Sequence, residues 1–352
     1  MVPTTALTSG RTHSPARPPC AKIGRMPRTL VLALGILLAL SAVGASWEWF
    51  AERRDRAAFP PPGRLVDAGG LRLHMRIEGA AALKPTVILE CGIGGATSCN
   101  WGWIEPEVAR FARVVAYDRA GLGWSDPGPL PRDGRRIATE LHAALRNAGL
   151  RGPYVFVGHS YGGLLARIFT DAYPDEVAGL VLAEPSHPAL FARAPGFGRA
   201  VSVIGIGVRI APYAARLGII RALLPLFPTD ADVLPPADGA AQRAFLASPA
   251  HWRGVAAELP SWRRDTSPEA LAARGFGDRP LIVLTAGSHA GACGWARLQA
   301  STAALSSDHE QRFVPGATHG SIVNDRRYAS AITEAVREVV AAVRSHRRLT
   351  PR

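Results

Sequence analysis

Residues 158–162 read Gly-His-Ser-Tyr-Gly, a Gly-x-Ser-x-Gly pentapeptide. An apolar run at 154–157 precedes it and a helix-compatible stretch at 163–169 follows, which is the strand–turn–helix context of a nucleophile elbow. The hydroxyl would project at the N-terminal end of a helix, where N–H groups favour negative charge. The pattern predicts that Ser160 is a catalytic nucleophile. Because the pentapeptide alone is loose in a chain with 36 Gly, the prediction requires a base, an acid and oxyanion donors elsewhere.

A histidine that could serve as the general base follows the serine late in the chain. His319 lies between the last apolar strand pattern, at 310–314, and a helical pattern at about 325–344. A neutral imidazole there would take the Ser160 proton as acyl transfer begins and then protonate the leaving group. His159 is too close in sequence to reach back to the serine. The lower-ranked histidines are His187, His251, His289 and His309.

The acid that would orient the base is expected at the end of a strand. The loop 286–291, which follows the apolar strand pattern at 280–285, contains no carboxylate. Glu184 directly follows the strand pattern at 179–183, where its side chain can reach the base from beside the serine. Glu184 is therefore the predicted acid of the triad. The remaining candidates, in order, are Asp308 and Asp325.

A glycine-rich turn could supply the oxyanion hole. The strand pattern at 86–90 runs into Cys-Gly-Ile-Gly-Gly at 91–95. Two backbone N–H groups must point at the developing oxyanion, one from such a turn and one from the residue after the nucleophile. The N–H groups of Ile93 and Tyr161 are the predicted donors. The phosphate-binding pattern Gly-x-x-x-x-Gly-Lys is missing, and neither Cys-x-x-Cys nor a histidine cluster indicates a metal, so no cofactor or metal is expected.

The elements around these residues alternate between short strands and helices. Such alternation predicts an α/β fold with a mostly parallel sheet covered by helices on both faces. Ligands on such a sheet bind at the carboxyl ends of the strands, where the candidate residues lie. The predicted strands are a hairpin at 64–67 and 71–77, then 85–90, 114–117, 154–157, 179–183, 280–285 and 310–314.

Three motifs together resemble a known family. Residues 117–126 read Tyr-Asp-Arg-Ala-Gly-Leu-Gly-Trp-Ser-Asp, which is similar to a segment after the fourth strand of α/β-hydrolase-fold proteins. With the elbow and the late Gly-x-x-His, the chain over about 64–345 resembles the esterase and lipase-like group of that superfamily. The resemblance implies an eight-stranded sheet, a helical cap inserted at about 186–279 and a Ser-His-acid triad without a cofactor. The segment 117–126 is expected to shape a loop rather than to be catalytic.

The chain departs from the family pattern at two places. Cys91 stands where many relatives carry a histidine before the oxyanion glycine, and the commoner acid position is empty. Glu184 lies 24 residues after Ser160, which matches the acid placement of haloalkane dehalogenases within the superfamily. A serine nucleophile in place of aspartate argues against dehalogenase or epoxide hydrolase chemistry.

The N-terminal region carries a membrane signal. Residues 1–28 are basic and predicted to be disordered, and the uncharged run of 19 residues at 29–47 is long enough to cross a bilayer as a helix. A linker is predicted at 48–63. Basic residues before the run predict a cytoplasmic N-terminus, with the catalytic domain on the far side of a single membrane span. The competing hypothesis is a signal peptide, cleaved near the small residues 43–45, and a secreted protein.

The net charge of +13 comes almost entirely from scattered arginines. No basic stripe interleaved with aromatic residues indicates a nucleic-acid groove, and weak attraction to anionic lipids remains open. The apolar stretch 200–227 of the expected cap is explained either by core packing or by a lid near the membrane.

These observations predict a membrane-anchored serine hydrolase that cleaves small esters, with an apolar acyl group, through an acyl-enzyme. Two alternatives stay open at this stage. One is a non-catalytic α/β-hydrolase-fold binding module, and the other is cofactor-free perhydrolase or haloperoxidase-type activity on the same triad.

Overall fold

The computed structural model describes residues 27–289 and 293–349. The chain divides into two compact units, residues 1–41 and residues 42–352. In the first unit, the described residues from Arg28 onward form the first part of helix α1, Arg28–Ala58. The predicted disordered segment 1–28 lies outside the described residues except for its last two.

Helix α1 is longer than the sequence pattern predicts. Residues 48–58 of the predicted linker 48–63 continue the helix for about three turns. Glu48 in this part is fully buried and accepts hydrogen bonds from Arg221, so a long-range ion pair stabilises a segment that looked like a polar linker. By length and composition, α1 is the one single helix among the described residues that could cross a membrane.

The second unit is built around one sheet of eight strands, as the sequence predicts. The spatial order is β1-β2-β4-β3-β5-β6-β7-β8. The first two strands pair antiparallel, β2 pairs antiparallel with β4, and the remaining pairs are parallel. The strands are β1 Arg64–Asp67, β2 Arg72–Glu78, β3 Thr86–Glu90, β4 Arg113–Tyr117, β5 Tyr154–His159, β6 Val177–Ala183, β7 Leu281–Ala286 and β8 His309–Val314.

Helices cover both faces of this sheet. Because successive strand residues point to opposite faces, Ile88 and Phe156 pack in one apolar cluster and Val87 and Val155 in the other. Besides α1, the helices are α2 Glu105–Ala109, α3 Gly134–Asn147, α4 Tyr161–Ala172, α5 Leu190–Arg193, α6 Pro195–Arg216, α7 Ile219–Leu223, α8 Pro236–Ala247, α9 Pro249–Ser261, α10 Ser267–Ala272, α11 Cys293–Ala303, α12 Ser321–Asn324 and α13 Arg326–Ser345.

The connection between β6 and β7 is a helical insertion. Helices α5 to α10 all belong to it, and we call this insertion the cap. Short 3-10 turns at 224–226 and 230–232 and a π-helical segment at 262–266 join the cap helices. The cap therefore begins after the carboxyl end of β6. The candidate residues lie at the same edge of the sheet.

Candidate active site

Ser160 occupies a sharp turn between β5 and α4. Its backbone has φ 54° and ψ −119°, a conformation that costs strain energy for a residue with a Cβ atom. Gly158 and Gly162, two residues before and after Ser160, must be glycines because backbone carbonyl oxygens lie where a Cβ atom would be. A Cβ on Gly162 would lie 2.3 Å from the Glu90 carbonyl oxygen, and a Cβ on Gly158 would lie 2.7 Å from the Gly162 carbonyl oxygen. The geometry is that of a nucleophile elbow.

The structure brings the predicted nucleophile and the predicted base together. His319 lies in the loop between β8 and α12, and its Nε2 atom is 3.0 Å from the Ser160 Oγ atom. When Nε2 is unprotonated, the serine hydroxyl donates this hydrogen bond. The distance is within the range that a general base needs for taking the proton.

His159 contacts the base rather than the nucleophile. Its Nε2 atom lies 2.8 Å from the His319 carbonyl oxygen, and because a carbonyl can only accept, His159 donates with a proton on Nε2. Burial, with a smaller contribution from His319, lowers the pKa of His159 to about 3. His159 is therefore a neutral donor that holds the backbone of His319. No local pattern indicates this contact, since the two residues are 160 positions apart.

Glu184 lies at the carboxyl end of β6, beside the nucleophile. It is fully buried and has a φ of 47°. One carboxylate oxygen accepts from the Ala286 backbone N–H at 2.6 Å, and the other accepts from the Trp295 indole N–H at 2.6 Å. Neither of these two bonds goes to His319, so the role of Glu184 as the orienting acid stays a prediction.

The two alternative acids lie elsewhere. The Asp308 carboxylate accepts from the Leu349 N–H at the amino end of β8, and the six residues of that strand span about 20 Å before the loop of His319. Asp325 caps α13 and pairs with Arg327. Two of the lower-ranked histidines make other contacts: His187 with Ala189 and Ser301, and His309 with Ser306. The side chain of His289 lies outside the described part of the chain.

The turn after β3 approaches the nucleophile closely. A Cβ on Gly92 would lie 3.3 Å from the Ser160 Cβ atom, so the glycine permits this approach. Arg119 donates to the carbonyl oxygens of Cys91, at 2.8 Å, and of Gly92, at 2.7 Å. In a trans peptide the N–H points opposite to the C=O, so the N–H of Ile93 points away from Arg119.

Arg119 is itself held by buried carboxylates. Its guanidinium is 2% exposed and forms a bidentate pair with Glu258 of the cap helix α9, at 2.6 and 2.9 Å. A further bond reaches Glu90 at 2.9 Å, whose pKa burial raises to about 7 although Arg119 opposes the shift. Sequence reasoning treated the segment 117–126 as loop-shaping only. It missed that Arg119 orients the turn beside the nucleophile.

Two cap side chains fix the other end of the same turn. Gln242 of α8 donates to the Gly95 carbonyl oxygen at 3.0 Å and accepts from the Thr97 hydroxyl at 2.6 Å. His251 of α9 also contacts the Gly95 oxygen, through Nε2 at 3.1 Å, and burial lowers its pKa to about 4. His251 is therefore a neutral donor, and the turn is tied to both the sheet and the cap.

Cys91, at the start of this turn, is a buried structural thiol. It accepts from the Trp101 indole N–H at 3.0 Å and donates to the Thr97 carbonyl oxygen at 3.1 Å. Burial raises the pKa of its thiol well above the usual value. The residue that replaces the family's common histidine therefore supports the turn and is not a reactive group.

A cavity of about 300 Å³ opens above the serine and the histidine. Its floor is the sheet side, with Ser160, His319 and the turn at 91–95, and its roof comes from the cap. The apolar lining includes Ile93, Leu246 and Val323, and the polar lining from the cap includes Thr229, Asp230 and Gln242. A small molecule bound here would lie against the Ser160 hydroxyl.

Comparison with known sequences identifies the same fold. Residues 85–202 match the family described as alpha/beta hydrolase fold. The chain is 31% identical over 137 residues to the probable transporter efuK of Hormonema carpetanum and 34% identical over 105 residues to an AB hydrolase superfamily protein of Gibberella zeae. These matches cover 37% and 29% of this chain, but only 20% and 32% of the two relatives.

Solved structures match over most of the chain. A haloalkane dehalogenase of Bradyrhizobium elkani matches with a TM-score of 0.61 at 20% identity, over 80% of this chain and 98% of that one. A putative lipase of Acinetobacter baumannii matches with a TM-score of 0.59 at 16% identity, over 85% and 97%. At such identities the likeness establishes the fold and not the reaction. The eight-stranded sheet, the elbow and these matches agree that the chain has the α/β-hydrolase fold.

Proposed function

We propose that this chain is a membrane-anchored serine hydrolase that cleaves carboxylic esters through an acyl-enzyme. One observation carries the proposal. The Ser160 hydroxyl stands on a strained elbow with its oxygen 3.0 Å from Nε2 of His319. A nucleophile and base at this distance, at the carboxyl edge of a parallel sheet, form the core of an acyl-transfer site.

In the first half of the reaction, the Ser160 Oγ atom attacks the ester carbonyl carbon while Nε2 of His319 takes the hydroxyl proton. The tetrahedral intermediate collapses as the bond to the alcohol oxygen breaks, and His319 gives its proton to that oxygen. In the second half, His319 takes a proton from water, which attacks the acyl-enzyme and releases the carboxylic acid. The Ser160 oxygen leaves and regains its proton from His319.

The oxyanion of the intermediate needs two preorganised donors. The N–H of Ile93 points away from Arg119, as its peptide geometry requires, and the preceding residue, Gly92, lies close to Ser160. The N–H of Tyr161 lies at the start of α4, among the N-terminal groups that lack an intrahelical acceptor. Both features support these two residues as the oxyanion donors.

Glu184 would complete the triad by orienting His319. Its position supports this role in two ways. It follows the strand next to the nucleophile, and its carboxylate is held by the N–H of Ala286. Two residues later, the Ser288 N–H donates to the Ala317 carbonyl oxygen at 3.0 Å, in the loop that carries His319. The carboxylate and the base loop are thus linked through one short segment.

The cavity supports a small ester as substrate. Its volume of about 300 Å³ is at the small end for ligand pockets, and Ile93, Leu246 and Val323 offer apolar contact for an acyl group. The structural neighbours named as a lipase and a dehalogenase favour a hydrolase over a binding module. The serine favours esters, because its hydroxyl forms an acyl-enzyme.

Helix α1 supports the membrane anchor. It is long and apolar enough to cross a bilayer, and Trp47, Trp49 and Phe50 are exposed where an interfacial aromatic belt would lie. We propose a single span with the N-terminus on the cytoplasmic side and the catalytic unit on the other, since the chain before the span is basic. Secretion after cleavage near residue 45 is the alternative.

The test is hydrolysis of p-nitrophenyl esters of increasing acyl length by the full chain in detergent micelles. We expect Ser160→Ala to lower kcat by about a thousandfold or more, since the nucleophile is lost. Ser186→Ala is the matched control, because its hydroxyl is 3.5 Å from Ser160 Oγ and could be mistaken for the nucleophile. It should keep most of the activity. Equal activity of Ser160→Ala and wild type would overturn the proposal.

A further inference from the structure

The cap exposes a continuous set of large apolar side chains. Helix α6 and the residues at the end of the 3-10 turn 224–226 carry it, and two of its members, Tyr213 and Leu226, expose 74% and 71% of their surface. Patches of this kind on a folded protein indicate an interaction site. We call it the apolar cap surface and define it by Val203, Ile206, Ile210, Tyr213, Leu226 and Phe227.

This surface is continuous with the part of α1 that carries the exposed aromatic residues. A Cβ on Gly218, between α6 and α7, would lie 2.7 Å from the Trp47 ring, so the two helical segments are in close contact. Arg221 of α7 binds Glu48 at 2.7 and 2.9 Å and Asp55 at 2.6 Å. These ion pairs fix residues 47–55 of α1 against the cap.

The charge pattern distinguishes among the partners that could cover this surface. Residues 193–227 contain five arginines and neither Asp nor Glu, and Arg199 and Arg209 are exposed. A second copy of the chain would bring like charges together, whereas a bilayer with anionic headgroups attracts them. The shape also fits a membrane, since α6 and the segment 219–226 meet at a bend of 95° and so form an angled insert rather than a straight span.

We propose that the apolar cap surface inserts into the membrane interface and that the active site takes ester substrates dissolved in the lipid. The second half of this proposal rests on the proposed esterase activity. The chain leads directly from the surface to the cavity, because Phe227 is exposed and Thr229 and Asp230 already line the cavity above Ser160. An acyl chain would therefore travel only a few residues' length from lipid to nucleophile.

A photocrosslinking experiment tests the insertion without requiring activity. The full chain would be reconstituted in vesicles of phosphatidylcholine and phosphatidylglycerol, with a benzophenone amino acid in place of Phe227. The matched control carries the same amino acid in place of Leu130, which is similarly exposed but lies in a loop outside the cap. We expect a lipid adduct at Phe227 and none at Leu130. Crosslinked dimers at Phe227 would assign the surface to a second copy, and no lipid adduct would overturn the insertion.

A kinetic experiment tests the substrate class. Ile206→Asp/Leu226→Asp in the same vesicles should lower kcat/KM for a long-chain ester dissolved in the bilayer by about tenfold or more, because charged side chains resist insertion. The same variant should hydrolyse a water-soluble short-chain ester within about twofold of wild type, as should Leu130→Asp with both substrates. Equal losses on both esters would overturn the proposal. If the wild type hydrolysed neither ester, the proposed function would be contradicted. A lipid adduct at Phe227 would still support membrane insertion of the cap.

Discussion

The floor and the roof of the cavity above Ser160 are built in opposite ways. The floor rests on strands that are buried throughout, such as β3 and β7, and its turn beside the nucleophile is held by Arg119. The roof comes from the cap, which exposes large apolar residues outside the cavity, including Ile206 and Leu226. Under the proposed function, the sheet would fix where the reacting atoms lie, and the cap would control which substrates reach them.

This contrast predicts that changes in the floor alter turnover for every ester, whereas changes on the outside of the roof alter only access. The link between the two regions is Arg119, since it joins the floor turn to Glu258 of the cap. Substitutions in the floor, in the link and on the inner side of the roof test this distinction.

The largest effect is expected from Glu184→Gln in the floor. If Glu184 orients His319, the neutral amide should lower kcat by about ten-thousandfold with little change in KM, as the same change of the acid does in Ser-His-Asp enzymes. Steady-state kinetics on a soluble ester measures this. Asp308→Asn is the control, because Asp308 lies at the amino edge of the sheet, and it should keep near wild-type turnover. Loss of turnover in Asp308→Asn but not in Glu184→Gln would show that Glu184 is not the acid.

The next effect is expected from Arg119→Lys in the link. An ammonium group cannot make the paired bonds of a guanidinium to Glu258 and the two turn carbonyls, so the Ile93 N–H should lose its orientation. We expect kcat to fall by about a hundredfold, near the value of one oxyanion donor. Arg132→Lys is matched, since Arg132 is equally buried and makes a bidentate pair with Glu140 away from the cavity. A similar loss of kcat in both variants would mean that only stability had changed.

A smaller effect concerns the pH dependence of stability. Burial lowers the pKa of His251 to about 4, below its usual value near 6.5. The folded state therefore favours the neutral form of this histidine. This contribution is full above pH about 6.5 and is lost as pH falls towards 4, amounting to about 2 kcal/mol by pH 5. Denaturant unfolding in detergent should therefore show wild type losing about 2 kcal/mol more than His251→Gln between pH 7 and 5. Parallel curves for the two proteins would contradict the buried neutral histidine.

The smallest effect is expected on the inner side of the roof. Gln242→Ala removes the side chain that donates to Gly95 and accepts from Thr97, while His251 still holds the turn. We expect kcat for a soluble ester to fall by about tenfold. Gln311→Ala, which removes one bond to Thr285 within the sheet, is the control and should leave kcat unchanged. Unchanged kcat in Gln242→Ala would show that the cap does not help to hold the oxyanion turn.

The sequence predicted the elements that local patterns determine. The strands, the last helix and the turn residues followed from apolar alternation and glycine spacing, and the pairing of Ser160 with His319 followed from chain order in a parallel sheet. The contacts that hold the site were not predictable in this way. His159 binds a carbonyl 160 residues away, and Arg119 binds Glu258, 139 residues away.

The helical form of residues 48–58 could not be predicted, for the same physical reason. Residues 48–58 are polar enough to look like a connection, yet Glu48 becomes helical and buried because Arg221, 173 residues later, neutralises it. Long-range ion pairs leave no local pattern, since each partner alone looks like an ordinary surface charge.

The most direct test of the central claim is the site of covalent labelling by a fluorophosphonate probe on the full chain. Peptide mass spectrometry should find the phosphonyl group on Ser160, with labelling retained in Ser186→Ala and abolished in Ser160→Ala. An adduct on another residue, or undiminished labelling of Ser160→Ala, would contradict the assignment of Ser160 as the nucleophile.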